Sequence, residues 1–373
     1  MTIFITGATG YLGSYLVRDL LLGSQERLAL LIRASSVEEA QRRLWRALQI
    51  HLDFEQFLEL NARRLDIYLG DLTQPDLGLS ESDLARVIAT TSSIIHCAAS
   101  LNRKSATTCF NVNLRGTLHT IKLARAINED HGLRRFSYIS TAAAAGKRQD
   151  ELVPEPDMID WNRSDYDPYA RTKKFGEYMV RELLTTVPVT IFRPSTILGD
   201  SSRPPTTQFD MVRAFALFAK MSFLPFKNNI RLDIVPVDYV SKAILTIHQK
   251  EKPSFDDYNI SSGPASLTYK EIVASVARGS KGHSKIFIPA LEKPFRSLIR
   301  ALTHTPRKWQ INRMATIMSV FLPYIYYNTV FDNHHIVAEL GESPTPFNVY
   351  AAQLLGFALE HKFRYPYQPW PEN

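Results

Sequence analysis

Two groups of residues in this 373-residue chain have types and spacings that suit joint chemistry. The first is a glycine-rich segment that directly follows the apolar run 3–5: Thr6, Gly7, Ala8, Thr9, Gly10, Tyr11, Leu12 and Gly13. The second is the pair Tyr169 and Lys173. Glycines at these spacings permit a sharp strand-to-helix turn, where backbone and helix N–H groups approach a pyrophosphate. A tight turn without a ligand can produce the glycine pattern alone. Both groups together, in this order, favour an oxidoreductase that uses a nicotinamide dinucleotide.

Tyr169 and Lys173 are four residues apart, so on a helix they project from one face. A lysine ammonium beside a phenol lowers the tyrosine pKa from its usual value of about 10. The tyrosine can then exchange a proton with a substrate oxygen. Thr141 is the candidate for holding that oxygen because it lies just past the end of a predicted strand, and Ser140 is the alternative. Without the glycine turn, Tyr169 reads equally well as a surface aromatic residue.

The end of the second predicted strand indicates which dinucleotide binds. An acidic residue there accepts hydrogen bonds from ribose hydroxyls, whereas an arginine suits a 2′-phosphate. This strand ends at Ile32-Arg33 with no acid in place, and Arg42 and Arg43 follow in the next helix. We therefore predict NADPH (NADP) as the cofactor, with Arg33 and Arg43 near its phosphate. The alternative is that Arg33 only solvates a strand end.

Two further strand ends contribute candidates. Asp71 and Leu72 follow strand three, where the carboxylate either meets the adenine amino group or forms a turn. Ala98 and Ala99 follow strand four, and such small residues allow the middle ribose of the cofactor to pass close to the backbone. His96, in the same strand, is predicted to be a packed residue rather than a catalyst.

The composition of the chain limits the class of protein and the compartment in which it is expected. The chain is 45% hydrophobic and has two cysteines, Cys97 and Cys109, which argues against a disulfide scaffold and fits a reducing compartment. Strand one begins at residue 2, so we expect no signal peptide, and no apolar run reaches the roughly 20 residues of a membrane span. The expected localisation is cytoplasmic, with peripheral membrane contact as an alternative.

The net charge of +7 is concentrated in residues 281–313. This segment suggests an acidic partner: coenzyme A phosphates, an acidic carrier protein, or an anionic membrane under Phe295, Leu298, Ile299 and Leu302. A solvated helix face is the alternative. No nucleic-acid motif accompanies the charge, so nucleic acid is not expected as a partner. We also predict no metal site.

The first half of the chain alternates strand-like and helical patterns, which predicts an α/β, doubly wound parallel sheet. Strands are predicted at 2–6, 28–33, 65–69, 93–97, 134–140 and 188–193. Helices are predicted at 11–23, 36–50, 81–89, 113–130 and 168–186. The expected nucleotide-binding domain is 1–200 plus 231–249, and a smaller, mainly helical substrate-binding part comprises 201–230 plus 250–373. Five C-terminal aromatic residues either line a tunnel for an acyl chain or form helix-packing core: Phe321, Tyr324, Tyr326, Tyr327 and Phe331.

These motifs resemble a known family. The glycine pattern with Tyr-x-x-x-Lys and Arg193-Pro194 before Gly199 resembles the extended short-chain dehydrogenase/reductases, which have a Rossmann fold. The segments 31–34, 70–79 and 96–99 resemble thioester reductase domains: the reductase domains of carboxylic acid reductases, the terminal reductases of peptide synthetases, and fatty acyl-CoA reductases. The resemblance covers residues 2–250 and implies Thr141, Tyr169 and Lys173 as the catalytic set. The candidate cofactor-binding set is Thr6, Gly7, Thr9, Gly10, Tyr11, Leu12, Gly13, Arg33, Arg43, Asp71, Leu72, Ala98, Ala99, Asn113, Tyr169, Lys173, Pro194 and Ser195.

The resemblance implies an NADPH-dependent reduction of an acyl thioester to an aldehyde, with a further reduction to the alcohol left open. The acyl thioester, on coenzyme A or an acyl carrier protein, would arrive in trans. Lys173 would hold the nicotinamide ribose. The rival readings are a sterol-type alcohol dehydrogenase, a sugar-nucleotide epimerase or dehydratase of the same superfamily, and a non-catalytic NADPH-binding scaffold. An acidic loop before Tyr169, residues 150–167, has no assigned role.

Overall fold

The computed structural model describes residues 1–277, 286–306 and 308–371. Within these residues the strands are β1 (Thr2–Thr6), β2 (Arg27–Ile32), β3 (Leu65–Leu69), β4 (Thr91–His96), β5 (Arg135–Ile139), β6 (Leu152–Val153), β7 (Val189–Pro194), β8 (Thr196–Ile197), β9 (Phe223–Leu224), β10 (Arg231–Leu232), β11 (Ile234–Val235), β12 (Asp257–Ile260), β13 (Leu267–Thr268), β14 (Ile286–Phe287) and β15 (Val330–Phe331). The helices are α1 (Tyr11–Gly23), α2 (Val37–Leu48), α3 (Phe54–Arg64), α4 (Glu81–Thr90), α5 (Ala106–Cys109), α6 (Gly116–Asp130), α7 (Pro168–Leu183), α8 (Asp210–Lys220), α9 (Val237–Gln249), α10 (Tyr269–Ala277), α11 (Glu292–Leu302), α12 (Gln310–Tyr326), α13 (His334–Leu340) and α14 (Phe347–Glu360).

Seven strands form one parallel sheet in the order β12-β7-β5-β4-β1-β2-β3. The strand order reverses between β1 and β4, which is where open α/β sheets leave a crevice for a ligand. The doubly wound parallel sheet predicted from the sequence is confirmed. The six predicted strands are present, with shifts of one or two residues at their ends. Helix α3 is an addition to the predicted helices.

The sheet is buried on both faces because its strands alternate apolar side chains between two cores. Ile3 and Ile5 point into the core under α1, α2 and α9, whereas Phe4 points into the opposite core with α4, α6 and α7. All five residues of β1 are buried. This double coverage is typical of parallel sheets and holds the strand ends rigidly.

A separate core joins helices of the C-terminal half to α8. Phe215, Phe226, Tyr269 and Tyr350 are among its buried residues, and many of its contacts are between aromatic rings. Among the described residues, no helix has both the length and the apolar composition needed to cross a membrane.

The sheet extends further along the chain than the sequence predicts. Strand β12 pairs in parallel with β7 at the sheet edge, although residues 257–260 lie in the range predicted for the substrate part. Ile336 of α13 is buried in the core of the sheet, and Trp370 packs edge-on against Phe54 and Phe57 at 5.0 and 6.0 Å. The C-terminal segment therefore returns twice to the sheet domain.

Candidate active site

The glycine turn between β1 and α1 leaves no room for side chains. Gly7 has φ +82°, and a Cβ atom there would lie 2.7 Å from the backbone nitrogen of Ala98. A Cβ atom on Gly13 would lie 2.0 Å from the carbonyl oxygen of Gly7. Gly10 caps α1 without a side-chain hydrogen bond, and the first turn of α1 contains no acidic residue. The Gly10 N–H donates to the carbonyl oxygen of Gly7 at 3.0 Å, and the N–H groups of the first turn of α1 are available to an anion such as a pyrophosphate.

Thr6 fixes the geometry beside this turn. Its Oγ1 lies 2.7 Å from Nδ1 of His96 and accepts a hydrogen bond of 3.2 Å from the backbone N–H of Ala98. The other ring nitrogen of His96 lies 3.0 Å from Oγ1 of Thr117. His96 is fully buried, and burial lowers its pKa to about 3, so the ring is neutral. His96 is thus a packed strand residue that locks the ends of β1 and β4 together.

Asn113 lies in a π-helical turn, Phe110–Arg115, that precedes α6. Such turns are frequent at functional sites. The Asn113 side chain accepts a hydrogen bond of 2.6 Å from Ser100 N and donates one of 3.1 Å to Thr172 Oγ1. Asn113 therefore ties the loop after β4 to α7, the helix that carries Tyr169.

Arg33, Arg43 and Asp71 come together at the ends of β2 and β3. The Arg43 guanidinium donates a hydrogen bond to the carbonyl oxygen of Arg33, and the Arg33 side chain is mostly exposed. Asp71 lies 3.8 Å from the Arg33 guanidinium and accepts hydrogen bonds of 2.8 Å from both N and Oγ1 of Thr73. Asp71 thus forms a turn, and its second oxygen faces Arg33. Leu72, the next residue, packs against the core on the face of the sheet that α4, α6 and α7 cover.

Tyr169 enters the site at the first turn of α7. Asp167 caps this helix by accepting a hydrogen bond from Ala170 N at 2.8 Å, and Pro168 occupies the first helical position. Tyr169 and Thr141 are both buried, and their side chains lie close enough for the Thr141 hydroxyl to interact with the phenol. The Ser140 hydroxyl instead donates to the carboxylate of Glu177. The structure therefore brings Thr141, rather than Ser140, to Tyr169.

The electrostatics of Tyr169 differ from the sequence-based expectation. Burial raises the pKa of Tyr169, and the cation that opposes this shift is Arg103, whose guanidinium carbon lies 4.7 Å from the ring centroid. Arg103 is held by Asp167 at 2.8 Å. The sequence assigns that role to Lys173. Tyr169 is thus a neutral phenol at physiological pH, suited to donating a hydrogen bond or a proton.

Lys173 lies one helical turn after Tyr169 and is 1% exposed. Its Nζ donates a hydrogen bond of 2.6 Å to the carbonyl oxygen of Ile139 and lies 4.7 Å from the centroid of the Tyr138 ring. Burial lowers the pKa of Lys173 to about 8. Lys173 therefore sits at the end of β5 with an ammonium that burial makes easier to deprotonate.

A buried ion pair lies behind this site. Glu177 accepts hydrogen bonds from Nε and Nη2 of Arg193 at 3.0 and 2.8 Å. Both side chains are almost fully inaccessible, at 1% and 3% exposure. Arg193 also lies 3.3 Å from Asp257 of the edge strand. The pair joins α7, β7 and β12, and so fixes the helix of Tyr169 on the sheet.

A cavity of about 750 Å³ opens at the carboxyl end of the sheet. Its walls include Thr141, Tyr169, Pro194 and Ser195, together with Asp233 from the short strands β10 and β11. Apolar side chains complete it: Phe209, directly before α8, Phe215 of α8, and Ile317 of α12 are among them. The cavity thus joins the sheet to the C-terminal helices, and the predicted catalytic Tyr169 faces it.

Comparison with known proteins identifies the family. A model of the Male sterility protein family, which describes an NAD-binding domain, matches residues 5–244. The chain belongs to this family. This membership confirms the resemblance to thioester reductase domains that the motifs predict. The match ends at α9, so the C-terminal helices of this Male sterility family member lie beyond it.

Two curated relatives and one solved structure extend the comparison. The chain is 30% identical over 275 residues to one component of the linear gramicidin synthase of Brevibacillus parabrevis, covering 73% of this chain and 5% of that synthase protein. It is 30% identical over 296 residues to a carboxylic acid reductase of Mycobacterium tuberculosis, covering 69% and 24%. The chain thus spans a small part of these relatives. The terminal R domain from the myxalamid PKS-NRPS pathway has a TM-score of 0.81 at 23% identity, covering 97% of this chain and 91% of that domain. Its fold is the same.

The basic segment and the C-terminal aromatic residues are only partly described. Lys281, Lys285 and Arg307 lie outside the described residues, as do the side chains of Phe321 and Tyr324. On α11, Phe295, Ile299 and Leu302 pack into or against the core of the C-terminal helices, and Leu298 is exposed. The apolar face considered for membrane contact is therefore mostly used in packing. Five described basic residues of the segment are exposed: Lys293, Arg296, Arg300, Lys308 and Arg313.

The aromatic residues divide between the two predicted uses. Phe331 lines the cavity, whereas Tyr326 packs against Phe226 in the core. Tyr327 packs edge-on against Tyr166.

The acidic loop before α7 is held by basic side chains. Glu151 and Asp160 pair with Arg163, and Asp165 pairs with Lys174. The pair of Asp165 and Lys174 ties this loop to α7, the helix that carries Tyr169.

Glu155 of this loop is buried beside two histidines, and ligand atoms of Glu155, His334 and His335 lie within 4.8 Å of one another. Each of these side chains also has protein partners. Glu155 accepts the backbone N–H groups of Asn259 and His335 at 2.8 and 2.7 Å. His335 Nδ1 lies 3.0 Å from the carbonyl oxygen of Asp257. The cluster joins the loop to β12 and α13.

The sequence missed Arg103 and Asp233, both in the cavity wall. Arg103 lies in the loop after β4, and Asp233 lies between two-residue strands. Neither belongs to a motif. A single sequence gives no signal for Asp233, whereas a basic residue in the loop after a parallel strand is a weak signal for Arg103.

Proposed function

We propose that this chain is an NADPH-dependent reductase of acyl thioesters, which forms an aldehyde and a free thiol. The observation that carries the proposal is that Tyr169 and Thr141, both buried, line one largely apolar cavity at the carboxyl end of the sheet, the end at which the glycine turn follows β1. Kinship with a carboxylic acid reductase supports the acyl substrate. A single chain would then combine a dinucleotide site and a chamber for an acyl group.

The dinucleotide fits the turn on steric grounds. The missing side chains of Gly7 and Gly13 let the backbone approach a pyrophosphate, and the uncapped N-terminus of α1 supplies N–H groups. Arg33 and Arg43 lie at the strand end where a 2′-phosphate would be held. When bound, reduced nicotinamide supplies the hydride. Ala98 and Asn113 would border the ribose, and Lys173 would hydrogen-bond its hydroxyls.

Tyr169 and Thr141 would bind the thioester oxygen. As negative charge develops on this oxygen, the neutral Tyr169 phenol donates a hydrogen bond that strengthens in the transition state. Arg103 adds positive charge next to the Tyr169 ring. The carbon–sulfur bond then breaks as the carbonyl re-forms, the leaving thiolate takes up a proton from solvent, and Tyr169 ends the step protonated as it began. The product at this stage is an aldehyde.

The acyl group would occupy the space between Phe209, Phe215 and Phe331. The core of the C-terminal helices supports this wall, so we assign residues 201–230 and the helices α10, α11, α12 and α14 to substrate binding. The exposed basic residues of α11 and α12 would meet the acidic face of a carrier protein or coenzyme A phosphates.

The test is NADPH oxidation by the purified chain with acyl-coenzyme A, acyl-pantetheine and sterol ketones, with products identified by mass spectrometry. Aldehyde or alcohol from a thioester is the expected result, and the ratio of NADPH consumed to product counts the hydrides. Turnover of the ketones alone would contradict the proposal. It would indicate instead a sterol-type alcohol dehydrogenase.

A further inference from the structure

Four side chains with metal-binding chemistry lie together outside the candidate active site: Glu155, Asp332, His334 and His335. Glu155 belongs to the acidic loop before α7, whereas Asp332 follows β15 and the two histidines begin α13. Glu155 and His335 are 180 positions apart in the chain, so no sequence motif indicates the cluster. The fold alone brings these ligand types to one place.

The carboxylate of Glu155 lies between the two imidazole rings. Its Oε2 lies 3.2 Å from Nδ1 of His334 and 3.3 Å from Nδ1 of His335. Ligand atoms of all three side chains lie within 4.8 Å of one another. Two atoms that each bind one tetrahedral zinc ion at about 2.0–2.1 Å are separated by about 3.3–3.4 Å. The distances from Glu155 to both histidines therefore match two edges of a zinc coordination tetrahedron.

Two carboxylates of the cluster lack a strongly basic partner. Glu155 is 1% exposed, and among the described residues neither Glu155 nor Asp332 pairs with a lysine or an arginine. The ionisable side chains that face them in the described parts of the chain are the two histidines. A buried carboxylate without a cation costs free energy, which a divalent ion between the carboxylate and the imidazoles would offset.

Hydrogen bonds alone are the alternative explanation of the cluster. His334 Nδ1 lies 2.6 Å from Oδ2 of Asp332, and His335 Nδ1 lies 3.0 Å from the carbonyl oxygen of Asp257. Each Nδ1–H group thus has an acceptor other than Glu155. A charge-assisted hydrogen bond from either ring to Glu155 would be shorter, at about 2.7–2.9 Å. These bonds leave the approach of both Nδ1 atoms to the same carboxylate oxygen unexplained.

The cluster is open to solvent on one side. The side chains of His334 and Asp332 are 58% and 25% exposed, so an ion can enter beside them and reach the buried Glu155. Phe255 stacks on the His335 ring with a centroid separation of 3.7 Å, and the ring of His334 lies edge-on to that of His335 at 4.3 Å. The inner histidine is thus held in place, and the outer one borders the entrance.

We propose that Oε2 of Glu155 and the Nδ1 atoms of His334 and His335 bind one zinc ion. Each ring then carries its hydrogen on Nε2 instead of Nδ1 and stays neutral. At 2.6 Å, Asp332 lies too close to His334 Nδ1 for both to bind the ion as placed, so water completes the coordination unless the Asp332 side chain rotates. Imidazole and carboxylate together suit Zn²⁺, whereas Mg²⁺ and Ca²⁺ prefer oxygen ligands.

The ion would stabilise the fold and take no part in hydride transfer. The three ligands are not among the residues that line the cavity, so the inference is independent of the proposed function. Zinc would join the loop before α7 to α13. It would also support the cavity wall, because Phe331, two residues before Asn333 and the start of α13, lines the cavity.

The experiment titrates Zn²⁺ calorimetrically into the purified full chain after treatment with a chelator. One ion per chain is expected to bind with a Kd of about 1 μM or lower. Free zinc at a hundredfold excess over this Kd should raise the melting temperature by about 2–5 °C. Mg²⁺ and Ca²⁺ should produce neither effect. A Kd for zinc above about 100 μM would overturn the inference.

Substitutions identify the ligands. His334→Asn changes an exposed side chain, so the fold should persist while the Kd for zinc rises roughly 100-fold, and His335→Asn should weaken binding similarly. His131→Asn is the matched control, because His131 also pairs with an aspartate, Asp130, at 2.9 Å, and is expected to leave zinc affinity unchanged. Wild-type affinity in both His334→Asn and His335→Asn, or its loss in His131→Asn, would overturn the inference.

Cobalt reports the coordination directly. Co²⁺ in the chelator-treated chain should show the intense visible d–d absorption of a four-coordinate ion, and one equivalent of Zn²⁺ should abolish it. The absorption should be lost in His334→Asn and retained in His131→Asn. The weak spectrum of hydrated Co²⁺ in the wild-type protein would overturn the inference and assign the cluster to hydrogen bonding alone.

Discussion

A buried carboxylate lies on each of two sides of the cavity, and the two carboxylates differ in how completely they are hydrogen-bonded. Behind the wall formed by α7 and β7, Glu177 is bound by Ser140 and by the Arg193 guanidinium. In the wall formed by β8, β10 and β11, Asp233 has two donors on one oxygen and none on the other. A fully paired buried charge holds neighbouring elements together, whereas a half-paired carboxylate that no cation depends on contributes less to the fold.

The largest effect is expected at the first wall from Tyr169→Phe. This change keeps the ring but removes the donor to the developing oxyanion, so kcat/KM for a thioester should fall roughly 10²- to 10⁴-fold. NADPH oxidation assays measure it. The melting temperature should stay close to that of the wild type, which shows that the fold is intact. An active Tyr169→Phe variant would assign the chemistry to another residue of the cavity.

The variants Glu177→Gln and Asp233→Asn test whether the two carboxylates contribute differently to stability. The glutamine leaves the buried Arg193 without its counter-charge, so the free energy of unfolding should fall by about 3–5 kcal/mol. Asp233→Asn should change it by about 1 kcal/mol or less, since no cation depends on this side chain. Urea unfolding followed by circular dichroism measures both. Similar losses of unfolding free energy in the two variants would show that the two carboxylates stabilise the fold equally.

Stability measured as a function of pH tests the lowered pKa of Lys173, which lies one turn before Glu177 on α7. Burial lowers the Lys173 pKa to about 8, whereas in the unfolded chain it has the ordinary value near 10.5. Between these values the unfolded state binds the extra proton, so stability increases with pH, by up to roughly 3 kcal/mol. Below pH 8 the charged lysine costs this amount, and Lys173→Met should be more stable there. Parallel stability-against-pH curves for wild type and Lys173→Met would contradict the assignment.

The smallest effect is expected at the exposed edge, away from both walls. Arg33→Asp removes the guanidinium at the end of β2 and adds an acid for ribose hydroxyls. We expect KM for NADPH to rise roughly 10- to 50-fold while KM for NADH changes little, because one exposed phosphate contact is worth about 1–2 kcal/mol. Steady-state kinetics with both cofactors measure the ratio, and Arg42→Asp on α2 is the matched control. Equal changes for the two cofactors would remove Arg33 from the phosphate site.

The sheet and the glycine turn were accessible to sequence reasoning because their signals are local. Gly7, Gly13 and the strand β1 lie within a dozen residues, and steric limits on the backbone dictate their types. Tyr169 and Lys173 were accessible for the same reason, since one helical turn sets their spacing.

The rest depends on distant contacts. The carboxylate of Asp233 meets Ser195 and Ser262, residues 38 and 29 positions away in the chain. Strand β12 has four residues and follows an aromatic, proline-containing segment, so its pairing with β7 has no periodic signal. Likewise, the contact between Arg103 and the Tyr169 ring depends on where the loop after β4 lies relative to the start of α7. Such positions emerge from packing, which a single sequence does not reveal.

The two returns of the C-terminal segment to the sheet have a consequence for folding. The chain leaves the sheet after Ile260, comes back at Ile336, and closes with Trp370 against Phe54 and Phe57. The C-terminal helices are thus enclosed by chain segments anchored in the nucleotide-binding domain, and each anchor shortens the loops whose closure opposes folding. The helices and the sheet should melt in one cooperative transition, with the chamber between them disappearing as a unit.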